Sequence, residues 1–290
     1  MKTTGFSSIH THTVFCDGRD DVETMCKTAF LKGLCAIGFS AHGPILKKTG
    51  LKTGWHMPDE NLDKYIDEVL AARRRWQGKL PVYLGLELDF IKGMRSVLDS
   101  DIKTLNLDYI IGSVHYIVPQ NGTRPFTVDG PREEFEAGLR EGFGGDMEAL
   151  LNSYWEAMAQ MIALGGFDIL GHVDLYKNNY LGFCGTESES RSVAEIAQAA
   201  ARCGIAVEVN TGGLNRNRID QTFPSSSLLS LFCRQKVPAI VTSDAHSAGD
   251  LDGHYDIALN TMIEAGYTEH SLFQGKENGK AIWRSEKIVT

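Results

Sequence analysis

Short, mostly apolar runs alternate along this chain with segments of helical periodicity. In order the runs are "FSSIH", "AIGFSAH", "PVYLGLEL", "DYIIGSVH", "FDILGHV", "IAVEVN" and "PAIVTSD". Several are almost continuous in apolar residues, as strands buried on both faces are. The stretches between them carry helix signals. "DDVETMCKTAFLKG" offers an Asp cap, a Met25, Ala29 and Phe30 stripe, and Gly33 as its stop. "DENLDKYIDEVLAARRRWQG" puts Leu62, Ile66, Val69 and Leu70 on one face and ends at Gly78. "SVAEIAQAAARCG" repeats that grammar, and "PSSSLLSLFCRQK" sets Pro224 before a serine cap. "PQNGTRPFTVDGP" and "YKNNYLGFCGTESES" read as long loops. Strand followed by helix, repeated in this way, predicts an α/β fold with a parallel sheet and crossover helices.

The polar residues decide between a closed barrel and an open sheet. His10 and His12 end the first run, His42 the second, Glu87 the third and His115 the fourth. His172 ends the fifth, Asn210 the sixth, and Asp244 with His246 the seventh. An open sheet gathers functional groups only near its switch point, whereas a barrel assembles them from the C-terminal ends of all its strands. The expectation is therefore one distorted (β/α)7 barrel domain over residues 1–290, with its site at those ends.

Composition narrows the chemistry. Hydrophobic residues make up 42% and charged residues 23% of 290 positions, ordinary values for a globular protein. The net charge of −8 argues against a nucleic-acid scaffold or a polybasic membrane binder, although bound cations can still hold a phosphate. No apolar run is long enough to span a bilayer and no secretory signal is visible, so a cytoplasmic protein is expected. The cysteines, Cys16, Cys26, Cys35, Cys184, Cys203 and Cys233, form no close pairs and are expected to remain thiols. Cys16 neighbours the candidate site and is either reactive or packed.

The candidate ligands are His10, His12, Asp17, His42, Glu87, His115, His172, Asp244 and His246. Nine nitrogen or oxygen donors exceed what one tetrahedral ion takes and suffice for two or three. Glu87 is the expected bridging carboxylate. His56, His254 and His270 lack this placement and read as surface or core histidines. Alternation along the strand points Glu208 the same way as Asn210, toward the barrel interior or a supporting layer around the metals. Asp174 flanks a ligand position.

The ordered set "HTHTVFCDG", "SAHGP", "GLELDF", "GSVHY", "DILGHVDL", "EVNTGG" and "SDAH" resembles the PHP (polymerase and histidinol phosphatase) family over essentially the whole chain, and most closely its histidinol-phosphate phosphatases. The resemblance implies a distorted seven-stranded barrel with a trinuclear centre of Zn, Mn or Fe. By this resemblance one ion takes His10, His12, Glu87 and Asp244, a second shares Glu87 and adds His115 and His172, and a third uses Asp17, His42 and His246. Some relatives carry histidine at the position of Asp17, so the third site here favours a harder ion or binds more weakly.

Clustered cations point to a hydrolase in which a bridging water, ionised near neutral pH, attacks phosphorus in line. Asp17 and His246 are the candidates to protonate the leaving group. Candidate phosphate clamps are Lys177, at a position where relatives often show arginine, Arg216 and Arg218 in "NTGGLNRNR", and Arg124; Asn210 is a further candidate contact. The run Arg73-Arg74-Arg75 reads as solvated helix surface. The expected substrate is a small phosphate monoester, histidinol phosphate by resemblance, whose imidazole and amine would meet the loop around Asp129 or the stretch "GTESES". Rival readings are a PHP phosphoesterase for a nucleotide or short oligonucleotide, an amidohydrolase-type barrel, and a non-catalytic metal-binding accessory module. The second would want a metal-bridging lysine where this chain has His115. Lost ligands or fusion to a larger polymerase would mark the third.

Overall fold

The computed structural model describes residues 5–122, 124–180 and 186–288. Its strands, in chain order, are β1 (Ser7–Ser8), β2 (Ala36–Phe39), β3 (Val82–Asp89), β4 (Tyr109–Ser113), β5 (Tyr116–Ile117), β6 (Phe126–Thr127), β7 (Ile169–Leu170), β8 (Ala206–Asn210), β9 (Ala239–Thr242), β10 (Glu269–Glu277) and β11 (Lys280–Lys287). Seven of them form one parallel sheet in the order β1-β2-β3-β4-β7-β8-β9, the seven runs read from the sequence. The sheet nearly closes into a barrel. Past the ends of β1 and β9 the chain is joined by a parallel bridge between Thr11 and Ala245, with the His12 amide donating to the Ala245 carbonyl at 2.8 Å.

Alternation divides the barrel interior into two levels. The lower level is apolar: Ile9, Tyr109, Ile111, Ile169, Ala206 and Ile240 pack together. Gly85 is required here, because a Cβ would stand 2.6 Å from the Tyr109 ring, whose hydroxyl donates to the Ile9 carbonyl at 2.5 Å. Two residues further along β3 and β8 the same face carries Glu87 and Glu208, so the site rests directly on a dry floor. The antiparallel hairpin β10–β11 seals the floor from below, with Phe273 inserted among Tyr83, Tyr109 and Trp283.

The helices follow the expected signals with small shifts. Val22–Lys32 is capped by Asp21, whose carboxylate accepts from the Thr24 amide, and ends at Gly33 with positive φ. Leu62–Arg75 buries Tyr65, Val69 and Ala72, with Leu62, Ile66 and Leu70 partly buried beside them. Glu187–Cys203 and Ser226–Arg234 stand where the other two helices were expected. Arg74 and Arg75 are exposed, as expected, whereas Arg73 is half-buried: it donates to the Val82 carbonyl and pairs with Asp108, tying the helix end to β3. The helices Arg132–Phe143 and Met147–Leu164 were not expected, nor were the hairpins β10–β11 and β5–β6, the latter placing Phe126–Thr127 inside an anticipated loop. Cys184 and residues 181–185 of the second anticipated loop, including the first residue of "GTESES", lie outside the described residues. No helix among the described residues is long and apolar enough to cross a membrane.

Candidate metal centre

Glu87 stands at the middle of the barrel mouth, 1% exposed, on the long central strand β3. One of its oxygens lies 3.2 Å from His10 Nε2, 3.6 Å from His12 Nε2 and 2.9 Å from His42 Nδ1. The other lies 2.9 Å from His172 Nε2 and 3.6 Å from His115 Nε2, and accepts from the Ser113 hydroxyl at 2.7 Å. Five imidazoles from four different strand ends thus converge on a single carboxylate. Asp244 adds a second carboxylate, 3.1 Å from His12 Nε2 and 3.7 Å from His10 Nε2. It sits just past β9 with φ of +48°, a left-handed conformation that aspartate tolerates better than most residues and that turns its side chain back over the mouth.

The outer edge is built by the loop after β1. Gly18 lets that loop fold on itself, since a Cβ there would stand 2.4 Å from the Thr13 amide nitrogen. Asp17 is thereby brought within 3.1 Å of His246 Nε2, 3.8 Å of His12 Nδ1 and 3.9 Å of His42 Nε2. The donor atoms gather into three groups: His12, Asp17, His42 and His246; His10, His12 and Glu87; His42, Glu87 and His115. The partition differs from the one the resemblance implies, because His42 and His12 each belong to two groups.

Charges in this network hold one another. Burial would raise Glu87, yet His42, His10 and His115 outweigh it and keep the carboxyl well below its usual range. Asp244 and Asp17 are depressed in the same way, the first by Arg216 and His10 and the second by His246 and His42. His115 is carried up to about 10 by Asp89 and Glu87 against the opposing effect of burial. His12 goes the other way, down to about 3, because it is buried and faces His246 and His42. Burial, with Asp17 beside it, pushes the Cys16 thiol up to about 12, and its Sγ packs 3.5 Å from His12 Nδ1.

A supporting layer orients these groups. Glu208 accepts from His10 Nδ1 at 2.8 Å, from the His172 amide at 2.7 Å and from the Thr242 hydroxyl at 2.8 Å. Asp89 lies 2.8 Å from His115 Nδ1 and 2.7 Å from His56 Nε2. Fixing the outer nitrogen of a ligating histidine with a carboxylate is how metal sites set tautomer and ring orientation. Asp89 and His56 were missed as site residues. Asp89 is two residues past Glu87 in β3, so alternation alone places it on the same face. His56 carried no such signal.

Buried polar atoms test whether metals fit. His10 Nε2, His12 Nε2, His42 Nδ1, Glu87 Oε2 and Asp17 Oδ1 are buried and make no hydrogen bond, although they all face the same centre. Orphaned polar atoms are rare and costly in protein interiors, and five in one cluster fit a site for cations. The donors are imidazole and carboxylate, suited to Zn, Mn and Fe.

The substrate-contact candidates divide. Arg216, Arg218 and Arg124 line the cavity above the centre. Arg216 reaches inward, 2.9 Å from Asp244 Oδ2 and 3.2 Å from His246 Nδ1. Arg218 is half exposed and donates to the Asp129 carbonyl. Lys177 requires correction: the turn Leu175–Asn178 directs its ammonium into the protein, 2% exposed, where it pairs with Asp174 and reaches the Ser225 hydroxyl at 3.2 Å. A buried ammonium needs that carboxylate, which keeps it from the cavity. Asn210 is also corrected. Its amide group donates to Glu208 and its carbonyl accepts from the Gly212 amide, turning the chain after β8 rather than facing a ligand. His254 is exposed and His270 stacks on Phe6, both away from the site.

Fold and centre together define a parallel seven-stranded barrel with a multinuclear His/carboxylate metal site at the C-terminal ends of its strands. Residues 8–212 match the PHP domain, and the chain belongs to that family. It is 28% identical over 264 residues to a probable histidinol-phosphatase of Deinococcus radiodurans, covering 91% of this chain and 95% of that protein. It is 26% identical to the histidinol-phosphatase of Bacillus subtilis, covering 86% and 97%. The crystal structure of a histidinol phosphate phosphatase from Lactococcus lactis, complexed with zinc, L-histidinol and phosphate, shares the fold with a TM-score of 0.69. Identity to it is 20%, and the match covers 96% of this chain and 98% of that one.

Proposed function

We propose that this PHP-family metal-dependent phosphoesterase hydrolyses L-histidinol phosphate to L-histidinol and phosphate. The observation that carries the reading is the shape and lining of one cavity of about 960 Å³. The residues around Glu87 line it together with Arg216, which reaches Asp244 and His246, and the half-exposed Arg218. Trp55 and Tyr116, stacked beside the centre, and Phe126 give the cavity aromatic lining, and Asp129, Glu134 and Glu141 supply carboxylates. A phosphoryl group fits the first of these groups. A flat, cationic leaving group, such as an imidazole with an ammonium, fits the second by stacking and charge. Relatives of similar length that are histidinol-phosphatases support the same substrate.

The candidate ligands would hold divalent ions, which when bound would supply Lewis acidity toward the phosphoryl oxygens and bring the pKa of a water near neutrality. The chain's own groups do the rest. Arg216, anchored on Asp244, presents fixed positive charge where the phosphoryl oxygens crowd. Glu208 and Asp89 hold His10 and His115 in the tautomers that turn their other nitrogens to the centre. Asp17 is held as an anion, which suits a ligand and not a proton donor; of the two candidates His246 would carry the leaving-group proton, in which case the other eight residues are the ligands.

Phosphate release by the zinc- or manganese-loaded protein tests the assignment. Histidinol phosphate is expected to exceed nucleoside monophosphates and an aryl phosphate by roughly 100-fold or more in kcat/KM, because a site built to pair polar groups rejects analogues that lack them. Chelation should abolish all turnover. Comparable slow hydrolysis of every ester would leave a metallophosphoesterase and discard this substrate.

A further inference from the structure

The segment from Leu51 to Met57 crosses the cavity wall beside the metal centre, and a single carboxylate connects the two. Trp55 packs its ring 4.7 Å from that of His42, 5.1 Å from that of His115 and 3.7 Å from that of its neighbour His56, measured between centroids. It also stacks on Tyr116 at 5.7 Å with an interplanar angle of 13°. His56 is buried, and its Nε2 lies 2.7 Å from one oxygen of Asp89 while the other oxygen lies 2.8 Å from His115 Nδ1. His56 Nδ1 is 2.8 Å from the Thr53 hydroxyl, and the Met57 amide donates to the His42 carbonyl at 3.1 Å.

Hydrogen-bond inventory assigns the protons in this chain. An ionised carboxylate only accepts, so both imidazoles donate to Asp89. His56 then has Nδ1 as an acceptor, which takes the Thr53 hydroxyl proton. With a cation bound, His115 would present Nε2 as the lone pair, turned to the Glu87 side. The donors converge on Asp89, from Thr53 through His56 on the wall side and from His115 on the metal side, so one carboxylate fixes both rings. Nothing in the proposed reaction uses His56 or Thr53, yet both are placed with the regularity of a working group.

We propose that Asp89 is a positioning residue shared between the metal centre and the substrate wall. It fixes His115 for ligation and, through His56, seats Trp55 against the ligand histidines, so that metal occupancy and the position of the aromatic wall are coupled. The wall is then ordered for a substrate only when the centre is formed. The inference rests on the metal site and not on the identity of the substrate.

The test uses zinc alone and Trp55 fluorescence on the metal-stripped full chain. The chain has four tryptophans, so the Trp55 signal is the part of the emission that disappears in Trp55→Phe. In the native protein, zinc titration should change this signal in step with binding. Asp89→Asn should weaken the loosest zinc by about 10–100-fold, the usual cost of losing a carboxylate behind a ligating histidine, and the Trp55 response should move to the same higher concentrations. His56→Gln should keep zinc affinity within about threefold of native, because His115 retains Asp89, while its Trp55 emission is already displaced without zinc and no longer responds to it. Unchanged zinc affinity in a folded Asp89→Asn protein would mean that the carboxylate is merely structural and would overturn the proposal. A native Trp55 response in His56→Gln would overturn it as well, and that arm stands whether or not Asp89→Asn folds. Failure of the histidinol phosphate assay would leave both readouts untouched.

Discussion

Replacing Glu87 by glutamine is expected to empty the centre and to lower phosphate release by roughly a thousand-fold or more. Glutamine keeps the length and the Ser113 contact but removes the negative charge that five imidazoles face. Its amide nitrogen is a donor, and in one of two orientations it presents protons to His10 and His42, in the other to His115 and His172. Either choice sets a donor against nitrogens that need an anion or a cation between them, and any ions held on both sides of Glu87 would lose that carboxylate together. The protein should still fold, because the floor beneath Glu87 is apolar and independent of it. Metal analysis of the purified variant beside phosphate release is the measurement. Native metal content with more than about a tenth of native activity would remove Glu87 from the bridging role. Ser113→Ala is the control: it deletes one neutral hydrogen bond to Glu87 and should cost little by comparison.

The legibility of this centre in the sequence has a simple origin. In a parallel barrel the active end of every strand is its C-terminal end, so ligand-type residues that close successive apolar runs fall together without any long-range information. His42, Glu87, His115, His172 and Asp244 were readable on that basis. The His10 and His12 pair was readable for a less secure reason: β1 stops at Ser8, and both residues hang on the bridge between Thr11 and Ala245 rather than on a regular strand. Position after a strand gives the rim but not the direction of a side chain. Lys177 and Asn210 follow their strands as clamps should, yet local turns send them into a buried ion pair and a backbone bond. Asp89 was available by alternation from Glu87. His56 was not, because a histidine in a long connection becomes part of the site only when the tertiary fold carries its segment across the barrel mouth. The hairpin β10–β11 carried a readable turn, Asn278-Gly279 between strands, with both residues at positive φ. What it packs against was not readable, since β11 alternates between partly buried and exposed positions and carries none of the deep burial of the sheet strands.

That hairpin closes the barrel floor, and Phe273→Ala should show how much stability it lends. Phe273 is 1% exposed and meets Tyr83, Tyr109 and Trp283 with ring centroids 5.0, 5.4 and 5.6 Å away. Truncation to alanine opens a cavity in a floor that strands β3 and β4 cannot close, because their spacing is fixed by ladder hydrogen bonds. The expected cost is about 3–5 kcal/mol. For a chain of this size that lowers the melting temperature by roughly 6–20 °C, measured on protein of constant metal loading. Phe273→Leu, which keeps most of the volume, should cost about 1.5 kcal/mol or less. The loss has a route to the site as well. Tyr109 loses its packing partner, and its hydroxyl holds the Ile9 carbonyl immediately before His10. A second expected result is therefore faster zinc release on warming, beginning below the global melting transition. A melting point within about 2 °C of native would show that the hairpin covers the floor without supporting it. In that case the apolar contacts among Ile9, Tyr109, Ile111 and Ile240 alone would have to hold the metal centre level.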